Sequence, residues 1–196
     1  MILYFDTETT GLRPGNICQL SYVMEDAFGV MAKNFFFTVD MVEYSAYLVH
    51  GFSVEDLFNL SGGKRFVEHI KEIAFDFALA DLIVAHNISF DLNFLRAEFD
   101  NVGECFRYKN DFCSMKSAVP ICKLPRKTGA GYKYPKLTEL CQFLHIIEDE
   151  IVDKERLLYG SITSSHDARF DTTALYLCAK KASEIYPEFS CVKEFI

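Results

Sequence analysis

Residues 2–11 of the chain read ILYFDTETTG, a short apolar run that leads into an acidic, threonine-rich turn closed by a glycine. The apolar run, residues 2–5, is typical of a buried strand. Asp6 and Glu8 follow it two residues apart, a spacing that directs both side chains to the same face of an extended chain. Two carboxylates held together at the end of a buried strand repel each other in the absence of a cation. The segment therefore indicates either a cation site or a solvated turn with an aspartate cap and a surface glutamate.

The hydrophobic pattern of the remaining chain places strands early and lets helices alternate with strands later. Residues 17–25 and 30–39 predict a hairpin, and residues 82–85 predict a short buried strand. Helices are predicted at 53–62, 64–80, 90–99, 137–144 and 171–186. This order predicts a single α/β domain over residues 1–196, with a mixed central sheet flanked by helices.

Composition narrows the class of protein. Half of the 196 residues are apolar and 24% are charged, which suffices for a hydrophobic core. With 20 basic and 28 acidic residues the net charge is −8, the opposite sign from a protein that binds nucleic acid by bulk electrostatics. The seven cysteines form no CxxC pair, a pattern unlike a disulfide framework or a zinc knuckle. Without a long apolar stretch or a basic leader, the sequence predicts a cytoplasmic protein with no membrane partner.

Two more acids and a histidine stand beside predicted element ends. Asp91 follows the predicted strand at 82–85 and begins a helix, and Asp171 begins another helix five residues after His166. Each acid alone is an ordinary helix-start residue stabilised by the helix dipole, and the histidine alone is an ordinary capping or surface residue. Together with Asp6 and Glu8 they form a candidate set of four acids and one histidine.

Three motifs carry a family resemblance. DTETTG at residues 6–11, HNISFD at 86–91 and HDARFD at 166–171 resemble, in order, the three motifs of the DEDDh, or DnaQ-like, 3′–5′ exonuclease family. VHG at 49–51 and KLTEL at 136–140 are smaller similarities, and the resemblance covers nearly the whole chain. It implies a ribonuclease H-like fold, in which helices flank a mixed central sheet.

The resemblance implies metal-dependent hydrolysis of phosphodiesters. Four carboxylates of the family pattern hold two Mg²⁺ ions, with Mn²⁺ as a substitute, and the matching residues are Asp6, Glu8, Asp91 and Asp171. The histidine of the third motif, His166, is implied to be the general base that takes a proton from the attacking water. Four carboxylates balance the formal charge of two divalent cations.

The resemblance also implies contacts to the terminal nucleotide. The matching positions in this chain are Thr9, Leu12, His50, Asn87 and Phe90. Thr9 is implied to lie beside the 3′-hydroxyl and Leu12 against the last base, while the other three line the nucleotide pocket. An aromatic ring at Phe90 suits stacking on any base, and a core aromatic at a helix start is the alternative interpretation.

The implied function is a 3′–5′ exonuclease that releases nucleoside 5′-monophosphates from single-stranded nucleic acid. DNA is favoured over RNA because the Thr9-Thr10-Gly11 version of the first motif resembles polymerase proofreading subunits. The alternatives are an exoribonuclease that trims RNA 3′ ends, a non-catalytic nucleic-acid-binding module on the same fold, and an unrelated metallophosphatase. The resemblance leaves room for a polymerase or another nucleic-acid-processing protein as a partner.

Residues 123–136 form a basic segment in an otherwise acidic sequence. This segment contains no acid, two prolines, two tyrosines (Tyr132 and Tyr134) and five basic residues, which are Lys123, Arg126, Lys127, Lys133 and Lys136. It predicts an exposed loop, which either guides a nucleic-acid strand or is simply solvated. The acidic run at 148–155 is typical of a solvated connection.

Overall fold

The computed structural model describes residues 1–195, in which five strands form one mixed sheet flanked by helices. The strands are β1 (Ile2–Thr9), β2 (Ile17–Asp26), β3 (Gly29–Phe36), β4 (Leu82–Ala85) and β5 (Asp111–Cys113). They lie in the order β3-β2-β1-β4-β5. Neighbours among β1, β2 and β3 are antiparallel, whereas β4 is parallel to both β1 and β5. The predicted α/β class with a mixed, helix-flanked sheet is therefore confirmed.

Eight α-helices and a C-terminal 3₁₀-helix at Pro187–Phe195 surround this sheet in the described part of the chain. The α-helices are α1 (Tyr44–His50), α2 (Val54–Ser61), α3 (Phe66–Leu79), α4 (Ile88–Asp100), α5 (Ser114–Cys122), α6 (Leu137–Phe143), α7 (Glu148–Tyr159) and α8 (Ala168–Ile185). Within residues 1–195, no helix is both long enough and apolar enough to cross a membrane.

The pleat of β1 sends alternate side chains into two helical layers. Tyr4 lies in a core cluster that includes α8, whereas Phe5 lies in a cluster that includes α3 and α4. Because side chains along a strand alternate with a period of two, Asp6 and Glu8 continue the Tyr4 face toward α8. By the same alternation Thr7 continues the Phe5 face toward α4. One strand therefore delivers polar groups to both layers at its carboxyl end.

Helix α3 shows how apolar spacing fixes these layers. Phe66, Ile70, Ile73 and Phe77 recur at helical spacing and are buried against the sheet, as the sequence predicts. The ring of Phe77 meets the ring of Phe5 edge to face at a centroid distance of 5.1 Å. Truncating a buried phenylalanine of this kind to alanine typically costs about 3–5 kcal/mol of folding free energy.

The prediction that residues 148–155 form a solvated connection is wrong. They belong to α7, whose first turn carries Glu148, Asp149 and Glu150. Three acids favour the positive end of the helix dipole, so their clustering stabilises this helix start. Ile151 and Glu155 turn inward and are buried, which anchors the helix to the domain.

Candidate active site

Strand β1 places the first two carboxylates at its carboxyl end. Asp6 and Glu8 lie opposite Ser21 and Gln19 of β2, and the register shifts between Glu8 and Thr9. This irregularity ends the regular pairing immediately beyond the acids. Glu8 is buried, with 8% of its surface exposed. The acids of the first motif therefore point into the domain, which excludes the solvated-turn interpretation of this segment.

Helix α8 supplies the third carboxylate. Asp171 lies in its first turn, and the α8 layer is the one that Asp6 and Glu8 face. One carboxylate oxygen from each of these three residues lies within 4.8 Å of the other two. Among residues 1–195, one group of at least three acidic, histidine or cysteine side chains lies close enough together to hold a metal ion, and it consists of these three residues.

Asp91 approaches the same place from the other layer. It lies in the first turn of α4, is 3% exposed, and accepts a hydrogen bond of 2.7 Å from the hydroxyl of Thr7. Thr7 stands between Asp6 and Glu8 in β1 but points toward α4. Asp91 lies outside the 4.8 Å group, yet its charge helps to raise the pKa of Asp6. The structure thus brings three predicted acids together and places the fourth beside them.

Burial and mutual repulsion dominate the electrostatics of these acids. Burial raises the pKa of Asp6 and of Glu8, and the negative charge of Asp171 raises both further. Burial also raises the pKa of Asp91 to about 7 and that of Asp171 to about 6. Concentrated negative charge of this kind favours either bound protons or bound cations, and carboxylate oxygens are the ligands that hard divalent cations prefer.

His166 lies just before α8 in a left-handed backbone conformation, with φ of 70°. Its backbone N–H donates to a carboxylate oxygen of Asp171 at 3.0 Å. A side chain in this conformation is uncommon outside glycine and asparagine, and such strain tends to concentrate at functional positions. The imidazole is exposed and lines a cavity of about 430 Å³ together with Asp6 and Asp171. It is therefore available to a bound molecule beside the acids.

A second cavity has a volume of about 370 Å³. Its lining includes Glu8 and four of the predicted nucleotide-binding residues, which are Thr9, Leu12, His50 and Phe90. Leu12 stands at the rim with 79% of its surface exposed. The remaining predicted position, Asn87, is exposed and lines neither of these two cavities; its left-handed backbone instead begins α4.

His50 forms an apolar wall of this second cavity. Nδ1 of its ring accepts a hydrogen bond of 3.0 Å from the backbone N–H of Phe52. Burial lowers the pKa of the imidazole and thereby favours the neutral ring. The ring also stacks on Phe52 at a centroid distance of 5.3 Å, which fixes its orientation.

Two buried polar residues that the sequence analysis did not select hold the start of α8 in place. The side-chain amide of Gln19 donates to Asp167 at 2.9 Å and accepts from the backbone N–H of Ala168 at 3.0 Å. Asp167 also caps α8 by accepting from the backbone N–H of Arg169, whose guanidinium it pairs with at 2.7 Å. The available signal was a glutamine within the apolar strand sequence ICQLSYV, since buried polar groups need partners.

No protein-family model matches the chain, and no curated protein matches it either.

Proposed function

We propose that the chain is a metal-dependent 3′–5′ exonuclease of the DEDDh type, with a ribonuclease H-like fold, that acts on single-stranded DNA. One observation carries the proposal: carboxylate oxygens of Asp6, Glu8 and Asp171 lie within 4.8 Å of one another, and these acids line two cavities, one beside Glu8 and one beside Asp6 and Asp171. The mixed sheet and the three motifs support it as well.

The donor set fits hard divalent cations. It consists of oxygen ligands only, and burial, together with the negative charge of the neighbouring acids, raises the pKa of Asp6. Asp6, Glu8 and Asp171 would hold one ion, and Asp91 would complete the set for a second. Mg²⁺ or Mn²⁺ bound there neutralises phosphate charge and lowers the pKa of a coordinated water.

The protein's own groups position the strand and move the proton. The cavity lined by Leu12, His50 and Phe90 receives the terminal nucleotide, with its apolar surface against the base. The oxygen of a water molecule bonds to the phosphorus, and the bond from phosphorus to O3′ of the preceding nucleotide breaks. His166 accepts the proton of that water, and O3′ takes a proton from solvent. The products are a nucleoside 5′-monophosphate and a strand with a new 3′-hydroxyl.

The test is degradation of a single-stranded DNA oligonucleotide labelled at its 5′ end, with Mg²⁺, with Mn²⁺ and with chelator. The proposal requires stepwise shortening that depends on metal, and its loss in Asp6→Asn. Asp111→Asn is a matched control, because this exposed aspartate lies on the edge strand β5. Metal-independent shortening, or full activity of Asp6→Asn, contradicts the proposal.

A matched RNA oligonucleotide and p-nitrophenyl phosphate complete the experiment. If the RNA oligonucleotide is shortened faster than the DNA oligonucleotide, RNA is the substrate and the protein is an exoribonuclease. Hydrolysis of the small ester alone would identify a phosphatase. Metal-independent binding of oligonucleotides without cleavage would identify a binding module.

A further inference from the structure

The basic segment at residues 123–136, here called the basic hairpin, is more ordered than the predicted exposed loop. Pro125 and Tyr132 form an antiparallel bridge, and the backbone N–H of Lys133 donates to the carbonyl of Leu124 at 2.9 Å. The guanidinium of Arg126 donates to the carbonyl of Tyr132 at 3.1 Å. These bonds close the segment into a short hairpin with its tip in solvent.

The base of the basic hairpin is attached to the candidate active site. His86, in the second motif, lies between Ser114 and the hairpin: Nδ1 is 2.9 Å from the Ser114 hydroxyl, and Nε2 is 3.0 Å from the carbonyl of Pro135. Lys133 forms a salt bridge with Glu139 of α6. The hairpin is thus fixed at its base to the motif that carries Asp91, and its position relative to the acids is defined.

Acids of the candidate site line three cavities, and residues of the basic hairpin line one of these three. Glu8 lines the cavity that also contains Leu12 and Phe90. Asp6, with Asp171 and His166, lines the one whose further wall is formed by Tyr134, Pro135 and Lys136. A strand whose terminal nucleotide fills the cavity of Leu12 and Phe90, and whose scissile phosphate lies at the acids, reaches the basic hairpin by continuing through the cavity that Asp6 and Tyr134 line.

The chemistry of the basic hairpin suits a nucleic-acid strand that leaves the site in this direction. It holds five of the 20 basic residues of an otherwise acidic chain and no acid. Arg126 and Lys127, at its tip, form no salt bridge with any residue in the range 1–195. Tyr132 and Tyr134 are 45% and 58% exposed, so their rings are free to stack on bases.

We propose that the basic hairpin binds the sugar-phosphate backbone of the substrate strand on the 5′ side of the scissile phosphate. Arg126 and Lys127 contact phosphates, and Tyr134, nearer the acids, stacks on an unpaired base. This inference rests on the proposed exonuclease function, because that function defines which strand enters and where it is cut. Its consequence is that affinity depends on the length of the substrate strand.

The experiment compares a long single-stranded DNA oligonucleotide with the p-nitrophenyl ester of thymidine 5′-monophosphate, which has no chain on its 5′ side. The test variant is Arg126→Gln/Lys127→Gln, and Lys64→Gln/Lys71→Gln is the matched control. Both control lysines are exposed and lie outside the two cavities. We expect the hairpin variant to raise KM for the oligonucleotide roughly tenfold, while kcat/KM for the ester stays unchanged.

Binding of a fluorescent oligonucleotide in chelator provides a second measurement that does not need catalysis. The slope of log Kd against log salt should fall by about 0.7 for each phosphate contact that the hairpin variant loses. An unchanged slope, an unchanged oligonucleotide KM, or an equal loss on both substrates would overturn the proposal. If the wild type cleaves neither substrate the exonuclease function fails, and the salt slope alone then decides whether the hairpin binds the strand.

Discussion

The backbone N–H of His166 donates to the carboxylate of Asp171 at 3.0 Å, while the exposed His166 imidazole lines a cavity. The candidate general base and a candidate metal ligand are therefore joined through the main chain. This bond does not depend on the imidazole, so the side chain can be removed without removing the bond. Function and local structure at this position can be separated experimentally.

Replacing His166 should abolish turnover without unfolding the protein. We expect His166→Ala to lower kcat by about 10²–10⁴-fold, the usual contribution of a general base. His145→Ala is the matched control, since His145 is also exposed and also has a left-handed backbone, with φ of 54°. Single-turnover cleavage of a labelled oligonucleotide measures the effect. Wild-type rates in His166→Ala would remove this residue from the proposed mechanism.

His166→Gly should be equally inactive but more stable than His166→Ala. The left-handed conformation costs a residue with a Cβ about 1–2 kcal/mol, whereas glycine adopts it without strain. Glycine loses more conformational entropy on folding, which offsets part of this difference. We expect the glycine variant to exceed the alanine variant by about 1 kcal/mol in free energy of unfolding, measured with urea. Equal stability would show that φ of 70° at this position carries no strain.

Removing one carboxylate should stabilise the metal-free protein at alkaline pH. Burial raises the pKa of Asp171 from 3.8 to about 6, so the folded protein holds this proton more tightly than the unfolded chain does. The favourable contribution is complete below the unfolded value and is lost as pH rises through about 6. Asp171→Asn should therefore unfold at higher urea concentration than wild type at about pH 8 in chelator, by about 1.4 kcal/mol per pKa unit.

The advantage of Asp171→Asn should shrink as pH falls and disappear at about pH 3, below the unfolded-state pKa of 3.8, where the wild-type carboxyl is largely protonated in both states. It should also be reversed by Mg²⁺, which stabilises the wild-type site but not the variant. Asp111→Asn, at an exposed position, should show neither effect. A variant less stable than wild type at pH 8 without metal would contradict the charge repulsion inferred for this site.

Gln19 should contribute to stability and to the arrangement of α8 together. Its loss in Gln19→Ala leaves the backbone N–H of Ala168 without its acceptor and removes one of three hydrogen bonds to Oδ1 of buried Asp167. An unsatisfied buried group costs about 1–3 kcal/mol, whereas Gln142→Ala, at an exposed glutamine of α6, should stay within about 0.5 kcal/mol of wild type. Urea unfolding measures both, and equal effects of the two variants would show that Gln19 does not hold α8.

Leu12 should affect substrate binding without affecting folding. Its side chain is 79% exposed at the rim of the second cavity, so Leu12→Ala removes little buried surface. We expect an unchanged thermal midpoint and a raised KM for single-stranded DNA, with a small change in kcat. Leu157→Ala is the control, because Leu157 is 82% exposed on α7. An unchanged KM in Leu12→Ala would exclude contact with the terminal base.

Sequence patterns identified the elements with strong hydrophobic periodicity and missed those without it. The hairpin of β2 and β3 and the helices α2 and α3 all occur where the pattern predicts them. Strand β5 has three residues on the sheet edge, too few to show an alternation. Helix α7 is hydrophilic over most of its surface, so its sequence resembled a loop.

The acids of the candidate site could be predicted from the sequence, but the residues that hold these acids in position could not. Asp6 and Glu8 alternate on a strand, and the structure brings them to Asp171 as the motifs suggest. The amide of Gln19 reaches Asp167 across a separation of 148 residues, and no local pattern encodes such a contact. Helix α8 begins at Ala168, earlier than the predicted start, because Asp167 caps it.

Because side chains along β1 alternate between two faces, the number of residues in this strand determines which face Asp6 and Glu8 occupy. Inserting or deleting one residue before Asp6 would turn both of its acids toward the phenylalanine-rich layer and bring apolar side chains to the acidic centre. Substitutions in β1 can therefore be tolerated one by one, but changes of its length cannot. Chain length in this strand should be held constant through divergence even where the identity of its apolar residues drifts.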